Sequence, residues 1–177
     1  MSAFAMPADL ATPRLTLRQW QDGDFAPMAA HNADPETMRF SGGVLTRHEA
    51  WKEFAALFGH WHLRGFGFYA VDDGTGLVGG VGLYFPDGWP EIELGWDLVT
   101  TARGKGYATE AAKAVRKAAA ARGLSRLVSF VHPENAPSIR VANRLDARQE
   151  GTVCLLGDKT HLRFVHPMAG AAGSGGA

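Results

Sequence analysis

Eight consecutive residues, Arg103-Gly104-Lys105-Gly106-Tyr107-Ala108-Thr109-Glu110, carry the clearest chemistry in this chain. They lie between a strand-like run, Ile92 to Leu98, and an alanine-rich helical run, Thr109 to Arg122. Glycine lets a backbone come close to a ligand, and the first N–H groups of a helix have no partner within it. A turn of this composition opening a helix makes an anion site suited to a phosphate or pyrophosphate. A second set of residues could move protons. Glu91 and Glu93 share one side of the strand-like run at period two. A later helical run is expected over Pro137 to Leu145, with Ser138 at its start.

Two phosphate loops can be set aside. A P-loop needs G-x-x-x-x-G-K-[ST], which this chain lacks, and a dinucleotide fingerprint needs G-x-G-x-x-G. Gly104-Lys105-Gly106 is followed by Tyr107-Ala108-Thr109, so the third glycine is absent; Gly65-Phe66-Gly67 and Gly80-Val81-Gly82 fail at the same place. A nucleotide-binding protein is therefore disfavoured. The pattern that remains is [RQ]-x-x-G-x-[GA], carried by Arg103, Gly106 and Ala108.

These residues need a scaffold, and 177 residues suffice for one domain with a sizeable core. Eighteen basic residues balance eighteen acidic ones, so no global field argues for nucleic acid or an anionic membrane. No apolar run approaches the roughly 20 residues of a membrane span. Residues Met1 to Ala11 lack a basic stretch followed by an apolar one, so no secretory signal is expected. The single cysteine, Cys154, allows no intrachain disulfide and fits a reducing cytoplasm; on its strand-like stretch it reads as a small buried residue. The domain is expected over residues 12–167, with a segment 1–11 before it and a Gly/Ala tail, 168–177, expected to be disordered.

Alternation makes Arg14 to Arg18 a first strand. Asp24 is expected to cap a short helix through Ala30, and Thr46-x-x-Glu49 is a capping box. The helix behind that box carries Trp51, Phe54, Leu57, Phe58 and Trp61 at helical spacing. Phe66 to Val71 and Leu77 to Phe85 read as strands joined by a hairpin turn, and Glu91 to Leu98 as the next strand. Leu127 to Val131, Gln149 to Leu155 and Leu162 to Val165 read as the remaining strands. This order implies an α/β (α+β) single-domain fold: a central mixed, mostly antiparallel twisted sheet of about six or seven strands flanked by helices. The crossover from Leu98 to Leu127 should make its two strands parallel neighbours.

The glycine turn within this order resembles the acetyl-CoA signature of the GNAT superfamily of N-acetyltransferases. Three further motifs resemble its branch of ribosomal-protein (RimJ/RimL-like) N-terminal acetyltransferases: Thr12-Pro13-Arg14-Leu15-Thr16-Leu17-Arg18, Glu93-Leu94-Gly95-Trp96 and Asn135-Ala136-Pro137-Ser138. The resemblance implies acetyl transfer from acetyl-CoA, as co-substrate, to a primary amine in a ternary complex. It places the pyrophosphate on the N–H groups of Gly104 to Ala108, with charge from Arg103 and Lys105. Tyr107, within the loop, and Thr109 count among the cofactor-binding residues, with Tyr107 expected to pack rather than to donate a proton. The main chain of Leu98 and Val99 would bond the pantetheine arm, and Asn135 would bond it or cap its own turn. Glu93 is the implied general base, because an ammonium must lose a proton before it attacks. Glu91 could orient the ammonium or replace the base, and Gly95 leaves room for a substrate. Ser138 would donate to the departing thiolate, since Pro137 to Leu145 contains no tyrosine. His132 could act as base through water, though a plain loop histidine is the preferred reading. Asp146-Ala147 departs from the superfamily's Gly-aromatic pair and suggests altered packing beside the CoA arm.

The acceptor side should involve Trp51, Trp61, Tyr84 and Trp89; a tryptophan in a turn, such as Trp89, has little to pack on locally. Without an acidic run, polyamines are disfavoured, and protein N-termini and small-molecule amines stay open. No histidine or cysteine cluster suggests a metal. A homodimer is compatible with the resemblance, although no exposed heptad or edge feature specifies one. The rival function is a CoA-binding module that has lost catalysis.

Overall fold

The computed structural model describes residues 4–155 and 159–168. Its strands are β1 (Leu10–Ala11), β2 (Thr16–Arg18), β3 (Phe68–Asp72), β4 (Leu77–Tyr84), β5 (Glu93–Leu98), β6 (Val128–Val131), β7 (Arg148–Leu155) and β8 (Lys159–Val165). Its helices are α1 (Phe25–Asn32), α2 (Arg47–Arg64), α3 (Tyr107–Ala121) and α4 (Ala136–Arg144). The strands form one sheet in the order β1-β2-β3-β4-β5-β6-β8-β7. Every neighbouring pair is antiparallel except β5 with β6. That parallel pair is the one the crossover predicts. The eight-stranded sheet exceeds the expected six or seven because Leu10–Ala11 is too short to show alternation.

Helices cover both faces. On one face α3 buries Ala111, Ala112, Val115 and Ala119 against Val81, Leu83, Leu94 and Leu98. Its small residues allow the helix to lie close to the sheet. On the other face α2 packs Phe54 on Trp20 and Ala70, and His60 stacks on Tyr84 at 5.4 Å. The capping box at Thr46 and Glu49 is formed in both directions, and α2 ends at Gly65 with φ 74°.

Several local expectations change. Asp24 does not cap α1 through its side chain. Its carboxylate instead accepts both arms of Arg18, at 2.7 and 2.9 Å, and the Gln21 N–H. Trp51 and Phe58 are exposed rather than core, because only Phe54 and Ala50 of α2 reach full burial. Cys154 is exposed on β7, at the edge of the sheet. Before the expected start of the domain, Met6 is buried in the main core and Leu10 pairs with Leu17. Met168, counted with the tail by composition, is buried in the same core. The rest of the expected disordered tail, 169–177, lies outside the described residues.

Candidate active site

The site is built where β5 and β6 part. Their register contains one pair, Glu93 with Val128, and the Val128 N–H donates to the Ile92 carbonyl. Beyond that pair, side chains replace the ladder. Leu94 O accepts from the Ser129 hydroxyl at 2.6 Å. The Phe130 N–H donates to Glu93 Oε1 at 3.3 Å. Main-chain groups alternate in direction along a strand. The Val99 N–H donates to Val78 O across β4, so Leu94, Trp96 and Leu98 direct theirs towards β6. Trp96 thus faces the opening.

Glu93 sits at this fork. Its Oε2 accepts from the Trp89 indole N–H at 2.9 Å. Burial pushes its carboxyl up, to about 7, against the lowering effect of the Phe130 and Trp89 bonds. Trp89 packs edge-on against Tyr84 at 5.3 Å and Phe130 at 6.2 Å. Tyr84 and Trp89 therefore join Glu93 in one aromatic-walled cluster. Burial, then Glu53 and Glu93, raise the Tyr84 hydroxyl, which holds it neutral. His60 fixes this wall: its Nδ1 is 2.7 Å from Phe66 O, and its Nε2 accepts the Phe85 N–H at 2.8 Å. Burial lowers its pKa, consistent with a neutral ring.

Glu91 does not join that cluster. Its two oxygens are held by Arg126 Nε at 2.5 Å and Arg163 Nε at 2.6 Å. Burial raises its carboxyl, but the bonds from Arg163 and Arg126 outweigh this and leave it lowered. It ties β6 and β8 to the start of β5, a poor situation for a base. Gly95 also leaves no room for a substrate: a Cβ there would lie 2.4 Å from Phe68 Cζ. The Phe68 ring occupies the space that the missing side chain vacates. Trp61 spends its indole N–H on Phe68 O at 2.8 Å, as Trp20 does at 2.9 Å. A surface hollow of about 240 Å³ beside them is lined by Gln19, Trp20, Phe58, Trp61 and His62, none of which belongs to the Glu93 cluster.

Ser138 approaches from the other face of the sheet. Asn135 caps α4 by accepting the Ser138 N–H at 3.2 Å. The Ser138 hydroxyl accepts from the Trp96 indole N–H at 3.3 Å. Glu93 and Trp96 point to opposite faces of β5, so Glu93 and Ser138 flank the fork from opposite sides. Asp146 takes the left-handed conformation, φ 58°, just beyond α4, where a helix end commonly has glycine. Ala147 is buried with Val131, Ala142 and Phe164, with Trp96 against the same cluster.

The glycine turn has the shape of an anion cradle. Gly104 and Gly106 have φ of 78° and 83°, and Gly106 is the N-cap of α3. A Cβ at Gly104 would meet nothing within 4 Å, so the turn is open to a ligand. Lys105 is exposed, with Nζ 5.8 Å from the Tyr107 ring centre. Tyr107 packs against the core, with the Arg14 guanidinium 4.9 Å from its ring centre. The Thr109 hydroxyl is buried without a protein partner. Arg103 turns away from the cradle: its Nε donates to Leu98 O at 3.1 Å and its Nη2 to Thr37 at 3.3 Å. Val99 has both main-chain groups partnered, by Val78 O and the Ala102 N–H. Added-strand bonding to a pantetheine arm thus fits Trp96 better than Val99. The cradle, the fork and the unpaired Thr109 hydroxyl together fit acetyl-CoA.

Composition singles out neither Phe130 nor Phe68, and the pairing of His31 with Asp97 at 2.7 Å joins residues far apart in sequence. Trp96 lies inside a recognised motif, but its bond to Ser138 requires the fold. Among the described residues no group of three metal-ligating side chains occurs. No described helix is long and apolar enough to cross a membrane.

Comparison with known proteins agrees with this geometry. The family model of the GNAT acetyltransferase domain matches residues 14–148, and the chain belongs to that family. A solved acetyltransferase from Agrobacterium tumefaciens superposes with a TM-score of 0.82 at 32% identity, over 93% of this chain and 96% of that one. The Bacillus subtilis protein named Uncharacterized N-acetyltransferase YnaD is 29% identical over 80% of this chain and 84% of its own length. A Vibrio cholerae spermidine N-acetyltransferase, solved with CoA and spermine, shares the fold at 17% identity with a TM-score of 0.70, over 89% and 96% of the two chains. The chain is an acyl-CoA-dependent acetyltransferase by family.

Proposed function

We propose that this enzyme moves the acetyl group of acetyl-CoA to a primary amine by direct attack in a ternary complex. The observation that carries this reading is the Glu93 carboxyl, held at the β5–β6 fork with its pKa raised to about 7. A base is most effective when its pKa lies near the working pH. Glu93 takes a proton from the ammonium. The free amine attacks the thioester carbon and a C–N bond forms; as the tetrahedral intermediate collapses the C–S bond breaks and the nitrogen's second proton passes to the departing sulfur. The CoA thiolate leaves towards Ser138, whose hydroxyl donates while the Trp96 indole supports its oxygen. The pyrophosphate rests on Gly104 to Ala108, and Lys105 supplies the nearby charge. Tyr84 and Trp89 line the acceptor's approach. Glu91 acts through the sheet rather than on the amine.

The acceptor is a small-molecule amine or a protein N-terminus. The cluster favours one amine beside apolar matter: it offers aromatic faces with the Glu93 carboxylate hydrogen-bonded to one of them. This supports an N-terminal residue or a compact amine over a polycation.

The test is a thermal shift with acetyl-CoA, with ATP and NAD as controls, followed by turnover on an amine panel. A ligand that binds only the folded state stabilises it by about 2.7 kcal/mol at 100 times its Kd. A shift with acetyl-CoA alone and turnover on one acceptor class is expected. Binding without turnover on any amine would favour a non-catalytic CoA module.

A further inference from the structure

Four polar contacts converge on the Glu110 carboxylate in the first turn of α3. Oε1 accepts from the Thr12 hydroxyl at 2.6 Å and the Arg14 N–H at 3.1 Å. Oε2 accepts from Arg14 Nε at 2.7 Å and lies 2.6 Å from its Nη2. The remaining arm, Nη1, donates to the Lys105 carbonyl at 3.0 Å. The guanidinium also lies over the Tyr107 ring, 4.9 Å from its centre. A single residue ahead of β2 thus grips both the glycine turn and the helix it opens.

Two consequences follow from elementary geometry and charge. A peptide unit is planar and trans, so its C=O and N–H point in opposite directions. Holding the Lys105 carbonyl on Arg14 turns the Gly106 N–H the other way, away from Arg14. Glu110, for its part, would place a negative charge within one helical turn of the anion cradle. The fork of Arg14 offsets that charge in place. Arg18, four residues later, does separate work on Asp24.

The geometry points to Arg14 as a positioning residue for acetyl transfer: with Thr12 and Glu110 it latches the glycine turn in its anion-binding form and screens the Glu110 carboxylate from the pyrophosphate. This rests on the acetyl-CoA reading of the turn. The competing explanation is a staple that joins β2 to α3 for stability alone.

Arg14→Ala separates the two. CoA binding is measured by calorimetry, and kinetics are compared for acetyl-CoA and S-acetylpantetheine, which lacks the pyrophosphate. Expected are a CoA Kd and an acetyl-CoA KM raised about tenfold, with kcat and amine KM within about twofold. Turnover of S-acetylpantetheine should be unchanged. Arg14→Lys should recover only part, since one ammonium cannot reach Glu110 and the Lys105 carbonyl as a planar fork does. A CoA Kd equal to wild type, or equal losses with both acetyl donors, would overturn the latch. If Arg14→Ala does not fold, Arg14→Gln, which keeps much of the side chain's length and removes the charged fork, carries the same comparison. Wild-type protein that binds no CoA would sink the acetyl-CoA reading itself, and the unmutated chain alone reveals that.

Discussion

At Glu93, burial and two hydrogen bonds pull the carboxyl in opposite directions, and burial prevails. The base form appears as pH rises through about 7. The rate at limiting substrate should therefore climb about tenfold per pH unit below that value and level off above it. Glu93→Gln should lose this limb and lower turnover by about 10²-fold or more, while the melting shift with acetyl-CoA persists. Wild-type turnover in the variant would remove Glu93 from the mechanism. Stability gives an independent check. The folded pKa lies above the ordinary value of 4.5. The stabilising contribution is thus complete below the unfolded carboxyl range and is lost as pH rises through about 7. Glu93→Gln should melt higher than wild type at pH 8, by a margin that shrinks in acid. The site was partly legible here: Glu93, Ser138 and the glycine turn stand in motifs. A cation beside an anion loop looks like a ligand group from sequence, and only the fold shows Arg103 donating to Leu98 O.

Among the elements, β4 and β5 form a glycine-lined patch whose neighbours decide what each glycine does. A Cβ at Gly82 would lie 2.3 Å from Gly67 O and 2.4 Å from Phe68 Cα, both backbone. At Gly95 the clash is with the far end of a side chain, Phe68 Cζ. Overpacking typically costs about 1–3 kcal/mol. Gly95→Ala should fall in that range, and Gly82→Ala should cost more, because backbone cannot swing aside as a ring can. Urea denaturation of the two variants checks the order; equal losses would mean that the ring is as fixed as the backbone. From sequence, a glycine in a strand says only that something comes close. It cannot say whether that is a substrate or a phenylalanine two strands away, and here it is the phenylalanine.

For the whole molecule, the weak point is the fork. The sheet's two parts meet at the single β5–β6 register pair, and the opening between the strands is the consequence. Glu91 reinforces this joint through Arg126 on one side and Arg163 on the other. Glu91→Gln should cost about 1–2 kcal/mol by chemical denaturation, typical of bonds to a charged group. Its sign with pH is opposite to that of Glu93. The Glu91 carboxyl is lowered, so its stabilisation is present above the ordinary carboxyl pKa and is lost as pH falls through the lowered value. The variant should thus differ from wild type at neutral pH and converge with it in strong acid. A constant gap across pH would show that packing, not charge, is what Glu91 provides.

The chain's own order of residues determined the elements, the parallel crossover, the Thr46–Glu49 capping box and the glycine turn, because each depends on neighbours within a few positions. Periodicity and turn chemistry are local, and so is a phosphate cradle made of two glycines and a helix start. Tertiary structure alone decided the rest: that Arg14 reaches Lys105 and Glu110, that Phe68 fills the space above Gly95, and that Glu91 is paired while Glu93 is not. Those outcomes join residues distant in sequence, and burial then sets their charge. Two carboxylates at period two look alike on a strand, and only their surroundings lower the carboxyl of Glu91 between two arginines and raise that of Glu93 by burial.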